Sequence, residues 1–265
     1  MADTGALVLK ENSDGIVTLT LNRPKARNAL SLALMEAALT ELDIIAAEKN
    51  TRVIILAGAG SAYCAGHDLK ELRDNPDSAA TQIVFDRCSE LMMKLIRMPQ
   101  PVIAKVHGIA TAAGCQLVAT ADLAIASESA TFATPGINIG LFCTTPSVAI
   151  SRTLSRKKAM EMLLTGEPMT AAAAAAAGLV NTVVPDHELD KTVHALAQLI
   201  KSKPGRILSL GKQAFYEQIE KPMAESYTYA GAVMTKNMLE DECTEGISAF
   251  LEKRTPDWLR GSSPS

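Results

Sequence analysis

Two stretches of the chain carry residue types that could do chemistry. Residues 56–69 read LAGAGSAYCAGHDL, and residues 105–142 read KVHGIATAAGCQLVATADLAIASESATFATPGINIGLF. Each places small residues directly after an apolar run that reads as a buried strand: Cys64-Ala65-Gly66-His67 in the first, Ala112-Ala113-Gly114 in the second. Small residues let backbone come close to a ligand. Two exposed N–H groups from separate turns are what an oxyanion site requires. The second turn should open a helix, whose first N–H groups are unpaired and whose dipole favours negative charge. Taken singly, each is also an ordinary strand-to-helix turn; two of them, each behind a buried strand, shift the balance toward paired donors. A dinucleotide fingerprint does not fit, because after Gly58 and Gly60 the third glycine position is Tyr63.

A third candidate is Cys143-Thr144-Thr145, just after GLF. A thiol near a helix start can be activated. No histidine is adjacent to serve as base, so a small core cysteine is the plainer reading of Cys143. The ring of His67 is expected to face the surface on its loop.

The elements that must hold these residues follow from periodicity. GIVTLTL (15–21) alternates as a half-buried strand and RVIILAG (52–58) reads as a fully buried one. Ser31 is placed to cap a helix with Leu34, Ala38, Leu42 and Ile45 on one face. A second helix is expected over about 79–97, with Val84, Cys88, Leu91 and Leu95 as its stripe. PVIAKV is the next strand, and Pro146 suits a first helical turn. Thr170, seven alanines and Gly178 spell a capped short helix, followed by a strand over 179–184. From 187 onward the pattern is helical, with Leu189, Val193, Leu196 and Ile200 on one face. Strands alternating with helices predict an α/β fold. The boundaries expected are a core over 1–200 and a helical region over 201–265.

A chain of 265 residues with 48% hydrophobic and 21% charged residues is globular. A net charge of −3 leaves no basic footprint for nucleic acid. Five cysteines without a CxxC pair read as free thiols in a reducing compartment. Four histidines and no HExxH give a metal site little support. The first fifteen residues lack a secretory signal pattern, and no run approaches the ~20 apolar residues of a membrane span. A cytoplasmic protein is expected.

The ordered set NRPKARNAL (22–30), SAYCAGHDLKEL (61–72), KVHGIATAAGCQLVATADLAIAS (105–127), ATFATPGINIGLF (130–142), TGEPMTAAAAAAAGLVNTVVP (165–185) and GISAFLEKR (246–254) resembles the enoyl-CoA hydratase/isomerase, or crotonase, superfamily over nearly the whole chain. CAGHDLKEL together with NIGLFCTTP is most similar to the enoyl-CoA hydratase domain-containing subgroup. The resemblance implies a crotonase-like spiral of ββα units, a C-terminal helical oligomerisation region, and a homotrimer or a hexamer made of two trimers. It implies an acyl-CoA thioester as substrate, coenzyme A being part of that substrate and not a separate cofactor.

By the same resemblance the backbone N–H groups of His67 and Ala113 hold the thioester oxygen. Coenzyme A contacts carry over onto Lys25, Ala26 and Arg27, and onto His67, Asp68, Leu69 and Lys70. Phe250 and Lys253 are expected to reach it, usually from a neighbouring subunit. Two family positions depart from the pattern. Hydratases of the family use two glutamates where this chain has Gln116 and Gly136. Glutamine cannot take a proton at neutral pH and glycine offers no side chain. Each general acid–base group contributes ~10²–10⁴-fold, so ordinary hydration is expected to fail. The loop position that carries an aspartate in the family's dehalogenases corresponds most nearly to Thr144. Asp122 and Glu128, the nearest downstream acids, are expected to be structural or on the surface. Three readings therefore stand: thioester enolate chemistry through the paired donors, acyl-CoA binding or structural partnership without catalysis, and thioester hydrolysis through Cys143 or water.

Overall fold

The computed structural model describes residues 5–74 and 76–260, so the first four residues of the expected core and the last five of the expected helical region lie outside the described residues. Ten strands are present among them: β1 (Val8–Ser13), β2 (Ile16–Leu21), β3 (Val53–Gly58), β4 (Ala62–Cys64), β5 (Val102–Val106), β6 (Ile109–Thr111), β7 (Leu123–Ser127), β8 (Thr131–Ala133), β9 (Met169–Thr170) and β10 (Thr182–Val184). The helices are α1 (Leu32–Ala47), α2 (Leu69–Asp74), α3 (Ser78–Arg97), α4 (Ala113–Thr120), α5 (Thr144–Thr153), α6 (Arg156–Thr165), α7 (Ala171–Ala177), α8 (Leu189–Lys201), α9 (Gly205–Gln218), α10 (Met223–Met238), α11 (Asp241–Leu251) and α12 (Asp257–Arg260).

The strands form two sheets. One runs β1-β2-β3-β5-β7-β10, parallel throughout except for the β1–β2 hairpin. The other runs β4-β6-β8-β9. Successive pairs β3–β4, β5–β6 and β7–β8 each send their first strand to the large sheet and their second to the small one, so the chain winds as a spiral of ββα units. The fold is the α/β spiral that the resemblance implied. The small sheet was not foreseen. Its strands are two or three residues long, too short for an alternating pattern to register.

The apolar run of β3 has its reason in burial on both faces. Ile54 and Leu56 join the main core with Leu34, Leu42 and Leu95, whereas Val53 and Ile55 pack with Leu189, Val193 and Ala197 of α8 on the opposite side. The expected caps are in place. Ser31 accepts the Leu34 N–H at 3.3 Å, and Thr170 accepts the Ala173 N–H at 3.3 Å with Gly178 closing α7 at φ 88°. The strand expected over 179–184 shortens to Thr182–Val184. Asn181 ahead of it is held by its side chain and its backbone to Ala124.

The helices after residue 200 are tied to the core by a buried lysine. Lys212 of α9 donates to the carbonyls of Leu95 and Gln100 and pairs with Asp122 at 2.7 Å. Burial pulls its pKa down against the pull of Asp122, which also accepts from the Val102 N–H and the Tyr216 hydroxyl. Asp122 is structural, as expected. No helix among the described residues is long and apolar enough to cross a membrane.

Candidate active site

The site is assembled where the turn after β4 meets the start of α4. Gly66 has φ 92°, and a Cβ built on it would lie 2.9 Å from the Ala112 Cβ and 3.4 Å from the Ala113 nitrogen. A Cβ on Gly114 would collide with the Cys64 carbonyl oxygen. The small residues at these positions are therefore required by backbone packing on backbone. Ala112, a non-glycine residue, is held at φ 50° and ψ −116°. Such strain costs roughly 1–3 kcal/mol and persists where surrounding structure fixes it. Here the fixing bond is from the Ala112 N–H to the Ala133 carbonyl, 2.8 Å.

The two N–H groups singled out by resemblance are left unpaired by the fold. His67 bridges Leu30 in parallel, through Leu30 N–H to Gly66 O at 2.7 Å and Asp68 N–H to Leu30 O at 3.0 Å. That pairing uses the groups on either side of His67 and turns its own N–H the other way. Ala113 is the first residue of α4, where no intrahelical acceptor exists. Among the described residues neither N–H has a hydrogen-bond acceptor.

A cavity of about 550 Å³ opens beside this junction. Its wall includes Ala65, His67 and Ala112 from the two turns, Gln82 and Phe85 from α3, and the 135–146 segment. His67 is not the surface-facing loop residue expected. Its ring packs edge-on against Phe85, with centroids 5.1 Å apart and planes at 83°. Its Nε2 is buried without a hydrogen-bond partner, and burial drives its pKa down to about 4. Phe85 and Gln82 were not singled out from sequence, although their helix was placed correctly.

The wall is closed around Gly136, the residue at which the resemblance placed the family's second acid. Gly136 lies in a 3-10 turn over Pro135–Ile139. A Cβ there would collide with the Leu141 carbonyl oxygen and lie 2.8 Å from Cys143 Sγ. The Leu141 N–H bonds back to the Gly136 carbonyl at 2.9 Å, which draws the loop over the position. Cys143 precedes α5 and lines the cavity with Thr144 and Thr145. Burial pushes its thiol pKa up, and a hydrogen bond with the Gly136 backbone offsets only part of that. Gln116 is buried on α4, 4% exposed, and its Oε1 has no partner. No carboxylate lines the cavity among the described residues.

The remaining expected residues fall in two places. Lys25, Ala26 and Arg27 occupy a turn tied to the site, because the Ala65 N–H donates to the Arg27 carbonyl at 3.0 Å. Asn28, fully buried, locks that turn by reaching the carbonyls of Ala59, Ala62 and Tyr63. Asp68 pairs with Arg23 at 2.9 Å and accepts the Lys70 and Glu71 N–H groups at the start of α2. Burial opposes its charge, but the Arg23 bond and these N–H groups outweigh that and hold its carboxyl below the ordinary range. Leu69 lines the cavity and Lys70 follows on α2. Phe250, 82% exposed on α11, and Lys253 are not part of the cavity wall within one chain.

A ββα spiral of two sheets, with the turn after β4 packed on the start of α4 beside one cavity, is a crotonase-type scaffold. The enoyl-CoA hydratase/isomerase family model matches residues 11–261, and the chain belongs to that family. It is 46% identical over 256 residues to enoyl-CoA hydratase domain-containing protein 3, mitochondrial, of Danio rerio, covering 97% of this chain and 89% of the relative. The crystal structure of a Mycobacterium smegmatis enoyl-CoA hydratase superposes with a TM-score of 0.93 at 49% identity, covering 95% of this chain and 98% of the other. That of human enoyl coenzyme A hydratase domain-containing protein 3 gives 0.92 at 43% identity, covering 95% and 100%.

Proposed function

We propose that the protein binds an acyl-CoA thioester with its carbonyl oxygen between the N–H groups of His67 and Ala113, and that it does not carry out ordinary hydration of the enoyl double bond. The observation that carries this reading is the cavity wall. It includes His67 and Ala112, at the two turns that carry the unpaired His67 and Ala113 N–H groups, and no carboxylate among the described residues. Backbone donors are unaffected by the side chain at residue 67, and each is worth ~10²–10³ in rate when it meets a developing oxyanion.

Coenzyme A lies along the paired turns at Lys25–Arg27 and Asp68–Lys70, with the lysine and arginine side chains as partners for its phosphates. Phe250 and Lys253 contribute from a neighbouring subunit in a trimer or a pair of trimers, which is consistent with their exposure and their absence from this chain's own cavity wall. Five free cysteines fit a reducing compartment, and the cytoplasmic reading rests on them, while the zebrafish relative carries a mitochondrial designation. Hydrolysis through Cys143 loses support from its raised thiol pKa, since the thiolate is the nucleophile.

Calorimetry with butyryl-CoA and a spectrophotometric assay with crotonyl-CoA test the reading together. Binding without hydration is expected. Absence of binding at millimolar acyl-CoA, or hydration at rates ordinary for the family, would sink it.

A further inference from the structure

Resting on that acyl-CoA reading, we propose that the site selects an uncharged alkyl tail longer than that of butyryl-CoA, lying against Phe85 and the 135–142 segment, and rejects acyl groups that end in a carboxylate.

The apolar part of the wall carries the first half of this. Phe85, Pro135, Ile139, Leu141 and Phe142 line the same cavity as His67 and Ala112. Ile139 is 63% exposed, Leu141 44% and Phe142 39%, so three large apolar side chains within four positions stand open to water. Leaving that area wet is unfavourable, and an alkyl chain laid along it removes the cost. The loop that presents them has spent its main-chain donors on itself. The Gly140 N–H bonds to the Ile137 carbonyl at 3.2 Å, the Leu141 N–H to the Gly136 carbonyl at 2.9 Å, and the Thr144 N–H to the Phe142 carbonyl at 2.8 Å. What this loop offers a ligand is therefore apolar surface. A volume of about 550 Å³ falls within the roughly 300–1,000 Å³ of small-molecule sites, which leaves room for a tail beyond the thioester itself.

The charge of the wall carries the second half. Among the described residues no Asp, Glu, Lys or Arg side chain lines the cavity. Its two titratable side chains are uncharged at neutral pH, since burial brings the His67 imidazole down to about 4 and pushes the Cys143 thiol up. The Gln82 amide, beside Phe85 on the turn of α3, donates to Asp86 at 2.7 Å, so one donor is spent and a negative charge stands behind it. The Thr144 hydroxyl donates to the Phe142 carbonyl at 3.3 Å. A terminal carboxylate brought against this wall gives up water and meets no cation, which is costly, whereas an alkyl tail gives up only water it binds poorly.

Calorimetry with butyryl-, hexanoyl-, octanoyl- and adipyl-CoA tests the assignment. Each two-carbon extension from butyryl to octanoyl is expected to tighten binding roughly tenfold, at about fourfold per buried methylene. Adipyl-CoA, which matches hexanoyl-CoA in chain length and adds a terminal carboxylate, should bind at least about tenfold more weakly than hexanoyl-CoA. Ile139→Lys puts a cation into the wall at an exposed position, and is expected to shift the ratio of octanoyl-CoA to adipyl-CoA affinity roughly tenfold or more toward adipyl-CoA. Equal binding of hexanoyl- and adipyl-CoA, or affinity flat from butyryl to octanoyl, overturns the proposal while the acyl-CoA reading stands. An unchanged ratio in Ile139→Lys overturns it as well; a changed oligomeric state in that variant, read by light scattering, would then assign the exposed loop to an interface between copies. Failure of the wild type to bind any of the four overturns both readings.

Discussion

The turn at 64–67 and the loop at 134–143 face the same cavity and are built on different principles. In the first, backbone packs on backbone, and the chemistry it can offer resides in N–H groups that no side chain supplies. In the second, where the resemblance placed a carboxylate at residue 136, the Leu141 carbonyl and the Cys143 sulfur occupy the space a side chain would need. Donors made of main chain, as proposed for the first region, do not depend on the side chain at residue 67. A carboxylate at residue 136 would need space that Leu141 and Cys143 fill. The contrast predicts that the first region breaks on small additions, while the second resists repair.

The largest effect should come from Gly114→Ala. The added methyl meets the Cys64 carbonyl oxygen, a backbone atom fixed by β4, so nothing flexible can give way. Overpacking costs typically 1–3 kcal/mol and more where backbone must move; about 3 kcal/mol or more is expected here, read from chemical denaturation. A loss below 1 kcal/mol would show that the two turns are looser than their packing indicates.

Next comes the pH dependence of His67. Its folded pKa of about 4 lies below the ordinary 6.5, so between these values the unfolded chain binds a proton that the native chain does not. Stability is full above about 6.5, falls as pH drops toward 4, and the loss from this group then levels off, reaching up to roughly 3 kcal/mol. Carboxylates such as Asp68 add acid sensitivity of their own, mostly at lower pH. The difference between wild type and His67→Gln in melts taken across pH 4–7 isolates the ring. Parallel curves would place the imidazole in water and return His67 to the surface.

Gly136→Glu probes the second region. Restoring the family's acid is expected to destabilise the protein by roughly 1–3 kcal/mol and to leave crotonyl-CoA hydration at baseline, even when combined with Gln116→Glu. A double variant that folds with wild-type stability and hydrates crotonyl-CoA would show that the loop opens readily and that the two regions do not differ in kind.

The regular part of this architecture was legible because it is local. The stripe of α3, the caps Ser31 and Thr170, and the doubly buried run of β3 each announce themselves within a few residues of sequence. The small sheet was not legible, since β4, β6, β8 and β9 exist only through pairing with one another. At the site, glycine and alanine at 66 and 112–114 signalled a close approach, read from sequence as one to a ligand; the approach in the structure is of one turn to the other. What they approach was hidden. The positive φ of Ala112 depends on Ala133, the closure over Gly136 on Leu141 and Cys143, and the inward turn of His67 on Phe85 from a different helix. The acids missing at 116 and 136 were visible only through the resemblance. That a carboxylate has no room at 136 needed the structure.

The smallest effect asks whether the first region owes anything to charge. Asp68 does two jobs at once: it caps α2 by accepting the Lys70 and Glu71 N–H groups, and it pairs with Arg23 across the two turns. Asp68→Asn separates them, because asparagine caps about as well as aspartate while the ion pair is lost. Both partners are partly exposed, with side chains 24% and 16% accessible, so water and salt screen the pair and less than about 1 kcal/mol should go. Because the native carboxyl titrates below its ordinary range, that contribution is present at neutral pH and lost as pH falls through the folded value; the variant should therefore differ from wild type at pH 7 and converge with it in acid. Butyryl-CoA affinity measured on the same protein separates a contact to coenzyme A from a structural one, since only the former lowers affinity without further loss of stability. A change of several kcal/mol would mean that an ion pair, and not interlocked backbone, holds the donor turns in place.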